Sequence, residues 1–502
     1  MDLTHSPADE EFRAAARSWL AAHVPRTPLP SLETEEGFAA HRAWEAELAA
    51  GRWSVVSWPE RYGGRAATTF AWLAFEEEYW AAGAPGRVGQ NGVSLLAPTL
   101  FAYGTEEQRA RVLPPMATGE VVWAQAWSEP EAGSDLAALS SRAVRVDGGW
   151  RLRGQKTWSS RAAFADRAFG LFRSDPDAPR RHEGLTYLMF DLRAPGVTVR
   201  PIGRLDGKPA FAELFLDDVF VPDEDVIGEP GQGWRIAMST AGDERGLTLR
   251  SPGRFLASAA RLRDLWRAQG SPGHARARVA DALVAARAYQ LFTYAAASRV
   301  LDGARLGPES SMNKVFWSEL DLALHETALD LLGAEGELAD GAWSEGYVFS
   351  LAGPVYAGTN EIQRDIVAER LLAGATTRAG ARCGRGSPRW GCSAWRCRRS
   401  TAGWGRARWN CPWRSWSWAV TPYPVRSRRR SRRPYSSASP RWPGVSCPGS
   451  RPGRTWRPWR RPPATPSTAT PRPSAWPRPP TACTCPRPLP APCAAPWTRP
   501  AG

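Results

Sequence analysis

The hydrophobic positions along the first 120 residues recur at spacings of three and four, which is the pattern of amphipathic helices. The pattern predicts helices over residues 10–23, 36–50 and 69–82, with short breaker segments between them. Residues 1–120 are therefore expected to form an N-terminal helical domain.

The pattern changes near Val121, where β-branched and aromatic residues occur in short runs separated by turn signals such as Asp147-Gly148. The runs predict strands, among them residues 142–146, 150–152, 184–191 and 197–202. Residues 121–233 are expected to form a small antiparallel β-barrel domain.

Long amphipathic helices return at Trp234 and predict a C-terminal four-helix bundle over residues 234–373. Helices, then a small β domain, then a helical bundle indicate an α+β fold.

Residues 374–502 contain no such pattern, and from residue 377 onward the chain has many arginines but no Lys, Asp or Glu. The segment lacks the branched aliphatic residues that build a core, so it is predicted to be disordered. A basic, aromatic arm that binds nucleic acid is one interpretation. Translation of GC-rich DNA in a shifted reading frame is the favoured one, because the acidic residues and lysines end abruptly at one point.

This division changes the meaning of the composition. The net charge of +15 alone would suggest an anionic partner, but all the acidic residues precede the tail, so the body is acidic. All eight cysteines lie in the tail, and the six histidines show no ligand spacing, so no metal site is expected. The chain begins without a signal-peptide pattern and has no apolar run of about 18 residues. We expect a cytoplasmic protein with no membrane span and no nucleic-acid partner.

Two segments of the β region carry candidate chemistry, residues 126–135 (AWSEPEAGSD) and residues 154–160 (GQKTWSS). They supply three hydroxyl groups and a flat aromatic ring that can pack on a planar ligand, namely Ser128, Ser134, Ser160 and Trp158. The composition alone also allows a turn with satisfied serines and a core tryptophan.

These two segments resemble the paired flavin-binding signatures of the acyl-CoA dehydrogenase family. The chain also resembles the family's other signatures, in the same order, at residues 58–64, 104–109, 215–222, 228–234 and 356–364. The resemblance spans about 370 residues and implies an enzyme that uses FAD to oxidise the Cα–Cβ bond of an acyl-CoA thioester to the trans-2-enoyl-CoA. It also implies electron-transfer flavoprotein, or a similar acceptor, as a partner.

The resemblance further implies roles for individual residues. FAD contacts are expected on the β platform and, for a neighbouring subunit's FAD, at the start of a C-terminal helix: Trp127, Ser128, Ser134, Trp158, Ser160, Thr359, Glu361 and Gln363. Substrate contacts are expected at Ser134 and Arg245.

The base that removes the Cα proton is not at the family's best-known position, because Ala357 follows Tyr356 where many members have glutamate. A second position exists in isovaleryl-type members, on the helix after the Gly-Trp segment, and there this chain has Glu244. We predict that Glu244 is the catalytic base. The alternative is a solvated helix carboxylate paired with Arg245.

Other departures bear on assembly and substrate. Asp330 stands where glutamine is expected, no clear Arg-x-x-Phe-Gly segment is found, and Glu131 replaces a common glycine. In these departures the chain resembles bacterial members that act on bulky or steroid side-chain CoA esters. Some of these enzymes form heterotetramers with a partner that lacks the base. We expect a homo-oligomer or heterotetramer. A non-catalytic FAD-binding subunit and a flavin oxidase or monooxygenase remain as alternatives.

Overall fold

The computed structural model describes residues 6–245, 251–303, 307–338 and 341–372, without the side chains of residues 243–245 and 371–372. The tail, interpreted above as disordered and frameshifted, lies outside these residues. Within the described part, no helix is both long enough and apolar enough to span a bilayer. The same part contains no cluster of three or more His, Cys, Asp or Glu side chains suited to a metal ion.

The N-terminal region is helical, as the pattern predicts. Its helices are α1 (Pro7–His23), α2 (Glu35–Ala50), α3 (Thr69–Ala81), α4 (Ala97–Tyr103) and α5 (Glu106–Ala117). Side-chain caps fix where several of them begin. The Thr105 hydroxyl accepts the N–H of Gln108, whose side chain accepts the N–H of Thr105, so α5 starts with a complete capping box.

The central region is a mostly antiparallel sheet. Its strands are β1 (Trp123–Ala126), β2 (Arg142–Val146), β3 (Gly149–Ser160), β4 (Arg167–Arg173), β5 (Leu185–Asp191), β6 (Val197–Ile202), β7 (Phe211–Pro222) and β8 (Val226–Ile227). Among the described residues they pair in the order β6-β7-β3-β2-β4-β5-β8, and β1 adds to β4. The pairings β1 with β4 and β2 with β4 are parallel, and the others are antiparallel.

Strand β4 is buried on both faces. Ala168 and Phe172 pack in one apolar cluster with other strand residues, whereas Phe169 and Leu171 pack in a second. The second cluster also contains residues of α4, α5 and the helix that follows β8, so it joins the sheet to helices on either side. Burial on both faces explains the nearly continuous apolar sequence of β4.

The C-terminal region is again helical. It contains α6 (Gly233–Arg245), α7 (Pro252–Ala268), α8 (Arg276–Leu301), α9 (Glu309–Leu332), α10 (Ala342–Ser350) and α11 (Asn360–Val367). Helices α7, α8 and α9 share one core, in which Phe255, Tyr289 and Trp317 lie close together. The expected α+β class is confirmed. Along the chain, helices precede and follow a mostly antiparallel sheet.

Candidate active site

Trp158 presents its ring to the outside of the sheet at the end of β3. The residue is 60% exposed, although tryptophan is usually buried, and its backbone φ is +58°. The register of β3 against β7 shifts between Lys156 and Ser159, so β3 carries one extra residue there. Such a bulge turns the local side chain away from the regular alternation. Trp158 rests edge-on against Phe211, with the ring centroids 5.9 Å apart.

The two segments that carry the candidate serines lie side by side. The carbonyl of Ser128 accepts the N–H of Thr157 at 2.9 Å, which connects the end of β1 to β3 just before Trp158. Ser128 and Ser160 are partly buried and Ser134 is exposed. We refer to these neighbouring residues of the two segments, Ser128, Trp158 and Ser160, as the platform.

Trp127 has a different environment from Trp158. It packs against the apolar cluster that joins the sheet to the helices, edge-on to Tyr187 with a centroid distance of 6.3 Å. Its indole nitrogen is buried and has no hydrogen-bond partner within the described residues. Trp127 thus faces the interior of the fold, unlike Trp158.

A buried ion pair joins the two segments. Lys156 donates to the Glu129 carboxylate at 2.8 Å and to the carbonyl of Leu171 at 2.7 Å. Glu129 also accepts the N–H groups of Ser140 and Ser141 at 2.6 Å and 3.0 Å. The pair ties the segment after β1 to β3 and so positions the candidate FAD-binding residues.

The environment of this pair shifts both pKa values. Burial lowers the pKa of Lys156 to about 8, although Glu129 opposes the change. Burial alone would raise the pKa of Glu129, but Lys156 and the hydrogen bonds from Ser140 and Ser141 outweigh it and hold the pKa at about 2. Both groups are therefore charged at neutral pH. The sequence contained both residues inside the two signature segments, but nothing in their spacing indicated that they pair.

Glu244, the predicted base, lies in the last turn of α6, next to Arg245. The side chains of both residues are outside the described part. One turn earlier, the Thr240 hydroxyl contacts the Thr99 hydroxyl at 2.6 Å, and both residues are buried. This contact fixes α6 against α4 close to the position of Glu244.

The loop before α11 holds Ala357 at the family's other base position. Ala357 has a φ of +55°, and its carbonyl accepts the side-chain amide of Gln363 at 2.8 Å. Gln363 is buried, so its amide nitrogen holds the loop, while its side-chain oxygen has no partner among the described residues. The hydrogen bond from Gln363 thus connects the loop to α11.

The other two candidates on α11 occupy its first turn. Thr359 is the N-cap, and its hydroxyl accepts the N–H of Ile362 at 3.3 Å. Glu361 is exposed, and its own backbone N–H and the Thr359 hydroxyl hold the pKa of its carboxyl below the usual range. Of the α11 candidates, Glu361 is the one whose side chain is open to a ligand or a partner.

A cavity of about 910 Å³ lies between the N-terminal helices, the segments that follow β3 and β6, and helices α7 and α10. Arg161, which directly follows Ser160 at the end of β3, is one of its lining residues. Much of the wall is aromatic, namely Trp58, Trp72, Phe75, Trp80, Phe101 and Phe349. A concave apolar space of this size, with a few polar groups, is typical of a small-molecule site.

Comparisons with known proteins place this architecture in one class. The models for the N-terminal, middle and C-terminal domains of acyl-CoA dehydrogenases match residues 6–120, 124–219 and 231–372. The chain belongs to the acyl-CoA dehydrogenase family. Acyl-CoA dehydrogenases are oxidoreductases.

Individual relatives agree with the family models. The chain is 38% identical over 376 residues to the acyl-CoA dehydrogenase IpdE1 of Mycobacterium tuberculosis, an alignment that covers 72% of this chain and 97% of that protein. It is 30% identical over 394 residues to the acyl-CoA dehydrogenase FadE26 of the same organism, covering 73% and 97%.

Solved structures show the same fold. The Tcur3481-Tcur3483 steroid acyl-CoA dehydrogenase superposes with a TM-score of 0.66 at 27% identity, covering 74% of this chain and 99% of that one. The ChsE4-ChsE5 complex from Mycobacterium tuberculosis gives a TM-score of 0.63 at 27% identity, covering 74% and 99%.

Proposed function

We propose that this protein catalyses the FAD-dependent α,β-dehydrogenation of an acyl-CoA thioester to the trans-2-enoyl-CoA. The observation that carries the proposal is the exposed ring of Trp158 at the bulge of β3, next to the segment that carries Ser128. The reaction needs a planar cofactor beside the acyl group, and the Trp158 ring offers a flat surface for such a cofactor.

The platform residues fit FAD. An isoalloxazine ring offers a flat aromatic surface edged by nitrogen and oxygen atoms, and Trp158 together with the hydroxyls of Ser128 and Ser160 offers the complementary groups. Ser134 is proposed to bind either flavin phosphate or the thioester. When bound, FAD supplies the acceptor for the hydride that leaves Cβ.

The protein's own part in the chemistry is to remove the Cα proton, and we assign this step to Glu244. Its carboxylate would take the proton from Cα as the Cα–H bond breaks, and Arg245 is proposed to contact the substrate beside it. A carboxylate enclosed with an apolar acyl group is a stronger base than one in water, because the charged form is less well solvated.

The proposal extends to partners. The relatives include a protein solved as the ChsE4-ChsE5 complex, which supports assembly of this chain with a second copy or a homologous subunit. Thr359, Glu361 and Gln363 are then proposed to contribute to the FAD site across the interface. Electrons are proposed to leave to electron-transfer flavoprotein or a similar acceptor.

The test is the substitution Glu244→Gln, which keeps the shape of the side chain and removes the base. FAD and acyl-CoA should still bind, while reduction of the flavin by acyl-CoA falls by about 10²- to 10⁴-fold, the usual contribution of a positioned base. The loss of absorbance near 450 nm after anaerobic mixing measures the rate.

Glu361→Gln is the matched control, because the proposed role of that exposed carboxylate is at the cofactor, and its effect on the rate should be small. Adding Ala357→Glu to Glu244→Gln should restore part of the rate, because the family uses both positions for the same proton. If Glu244→Gln reduces its flavin at the parent rate, the base lies elsewhere, and a non-catalytic subunit becomes the better description.

A further inference from the structure

A turn of π-helix directly precedes α4. It spans Gly92–Leu96, and the N–H of Ala97 donates to the carbonyl of Gly92, five residues earlier. Such turns are rare in proteins and are frequent at functional sites. Val93 and Ser94, two residues of this π turn, line the cavity. The π turn is therefore a candidate for a role in the reaction.

The π turn is packed tightly against its neighbours. A Cβ at Gly92 would lie 3.0 Å from the side chain of Met116 in α5 and 3.2 Å from that of Trp123 in β1. Leu95 and Leu96 are buried in the apolar cluster that joins the sheet to the helices. Contacts with α5 and β1 thus fix where the π turn lies.

Helix α6 packs against both the π turn and α4. The Arg235 guanidinium lies 5.7 Å from the ring centre of Tyr103, and the Thr240 hydroxyl contacts that of Thr99. Because a step forward along α6 is a step back along α4, the two helices are antiparallel. Residue 244 lies one turn beyond Thr240 on the same face of α6, which is the level of the π turn.

Two threonine hydroxyls connect α6 to the π turn. Thr99 donates to the carbonyl of Leu95 at 2.8 Å, and the hydroxyl oxygens of Thr99 and Thr240 are 2.6 Å apart. Thr240 also lies 3.1 Å from the carbonyl of Ile236. Each hydroxyl has one hydrogen, so both shorter contacts are made when Thr240 donates to Thr99 and Thr99 donates to Leu95. A chain of hydrogen bonds then runs from α6 into the π turn.

This pair of threonines is closed to solvent. Thr99 is 1% exposed and Thr240 is 0% exposed. Water cannot take the place of either hydroxyl without a change in packing, so the contact between the two helices depends on these two side chains.

We propose that Thr99 and Thr240 are positioning residues for the removal of the Cα proton. They hold the last turn of α6 against the π turn and so set the distance between Glu244 and that proton. The inference rests on the proposed role of Glu244 as the base. A base must lie within hydrogen-bond reach of the proton that it takes, and a misplacement of about 1 Å can slow a reaction by about 10²-fold.

The test uses Thr240→Val and Thr99→Val, which keep the shape of the side chain and remove the hydroxyl. Single-turnover flavin reduction of the full-length holoprotein by butyryl-CoA, octanoyl-CoA or cyclohexylacetyl-CoA, whichever is fastest with the wild type, should slow by about 10-fold in each variant. The Kd of the acyl-CoA, taken from the concentration dependence of the rate, should not change. A merely structural defect would lower the amplitude, through the fraction of folded protein, and not the rate constant.

The double variant should be no slower than either single variant, because both substitutions remove the same contact. Thr240→Ser, which keeps the hydroxyl, should retain most of the wild-type rate. Thr293→Val is the matched control, since this buried threonine of α8 also donates to the carbonyl four residues earlier, that of Tyr289, at 2.9 Å. Its rate constant should equal that of the wild type.

A change of background tests whether the effect passes through α6. In the variant that combines Glu244→Gln with Ala357→Glu, the base is on the loop before α11, so adding Thr240→Val should leave the remaining rate unchanged. An equal loss in both backgrounds would show that the pair acts on the reaction by another route and would overturn the inference.

The outcomes separate the inference from the proposed function. Wild-type rate constants in both valine variants overturn the inference and leave the dehydrogenase standing, whereas a wild-type rate in Glu244→Gln removes the proposed base. If no probe reduces the wild-type flavin, the proposed activity on these thioesters fails, and hydrogen exchange decides the inference. The amides of α6 should then exchange about fivefold faster in Thr240→Val than in the wild type or Thr293→Val, the effect of losing one hydrogen bond. Unchanged exchange overturns the inference.

Discussion

At the scale of single residues, the backbone of Trp158 is unusual for its side chain. A φ of +58° places a bulky residue in the left-handed region, which costs about 1 kcal/mol relative to glycine. Its ring is also largely exposed, so burial in this chain offsets little of that cost. Strain combined with exposure is understandable if the ring serves a ligand.

Replacing Trp158 with glycine should separate these effects. The apoprotein should keep its free energy of unfolding or gain about 1 kcal/mol, because glycine adopts a positive φ without strain. The FAD retained after purification, measured as the ratio of absorbance at 450 nm to 280 nm, should fall. Phe220→Ala, at an exposed aromatic residue of β7, should leave FAD content unchanged. Full FAD content in Trp158→Gly would show that the ring is not part of the cofactor site.

At the scale of secondary-structure elements, the ion pair of Glu129 and Lys156 connects β3 to the segment after β1. Both side chains are almost fully buried, at 4% and 0% exposure, so neither charge can be solvated if its partner is lost. Lys156 also lies 4.8 Å from the ring centre of Phe172, in the core of the sheet. The platform thus depends on a contact between residues 27 positions apart.

Removing one partner should cost far more than removing both. Lys156→Met leaves a buried carboxylate and should lower the free energy of unfolding by about 3–5 kcal/mol, whereas Lys156→Met with Glu129→Gln should recover most of the loss. Denaturant titration of the two variants measures the difference. Equal stability of the single and double variants would contradict a paired role.

The same pair predicts a pH dependence. The pKa of Glu129 in the folded protein, about 2, is below its ordinary value of 4.5, so folding favours the ionised form. Its contribution to stability is therefore complete above about pH 4.5 and is lost as the pH falls through about 2. Denaturant midpoints between pH 6 and 2 should show this loss, and it should be absent from the Lys156→Met, Glu129→Gln double variant.

At the scale of the whole molecule, the C-terminal helices expose apolar side chains that a lone subunit would leave in water. They lie on α8, α9 and α11 and have exposed fractions of 67%, 45%, 41% and 38% for Val284, Met312, Phe316 and Ile362. The Phe316 ring stacks on Tyr289 of α8 at a centroid distance of 6.2 Å, which makes it an extension of the core. Together with the proposed role of α11 in a neighbour's FAD site, these exposed side chains lead us to expect that assembly and cofactor binding are coupled.

Phe316→Asp should therefore lower the subunit association and the FAD content together. Sedimentation velocity gives the mass, and the ratio of absorbance at 450 nm to 280 nm gives the occupancy. Val144→Asp, at an exposed apolar position of β2, is the matched control and should alter neither. A stable monomer with one FAD per chain would refute the coupling.

The sequence by itself determined the order and type of the elements. The helix expected over residues 10–23 is observed as Pro7–His23, that over 69–82 as Thr69–Ala81, and the strand expected over 184–191 as Leu185–Asp191. The periodicity of apolar residues is a local property of the sequence, so it predicts an element without knowledge of the tertiary contacts. The shorter strand expected over 150–152 is instead part of β3, Gly149–Ser160, because pairing with β7 extends it through polar residues that carry no strand pattern.

The motifs likewise identified the family, but only the tertiary structure decided how the site is assembled. The pairing of Lys156 with Glu129, the inward position of Trp127 and the loop contact of Gln363 depend on which distant segments meet. Two further contacts are clear cases, the ion pair of Arg254 with Asp321 between α7 and α9 and the close approach of α7 to α3 at Gly253. Such contacts depend on packing between elements, for which a single sequence has no local signal.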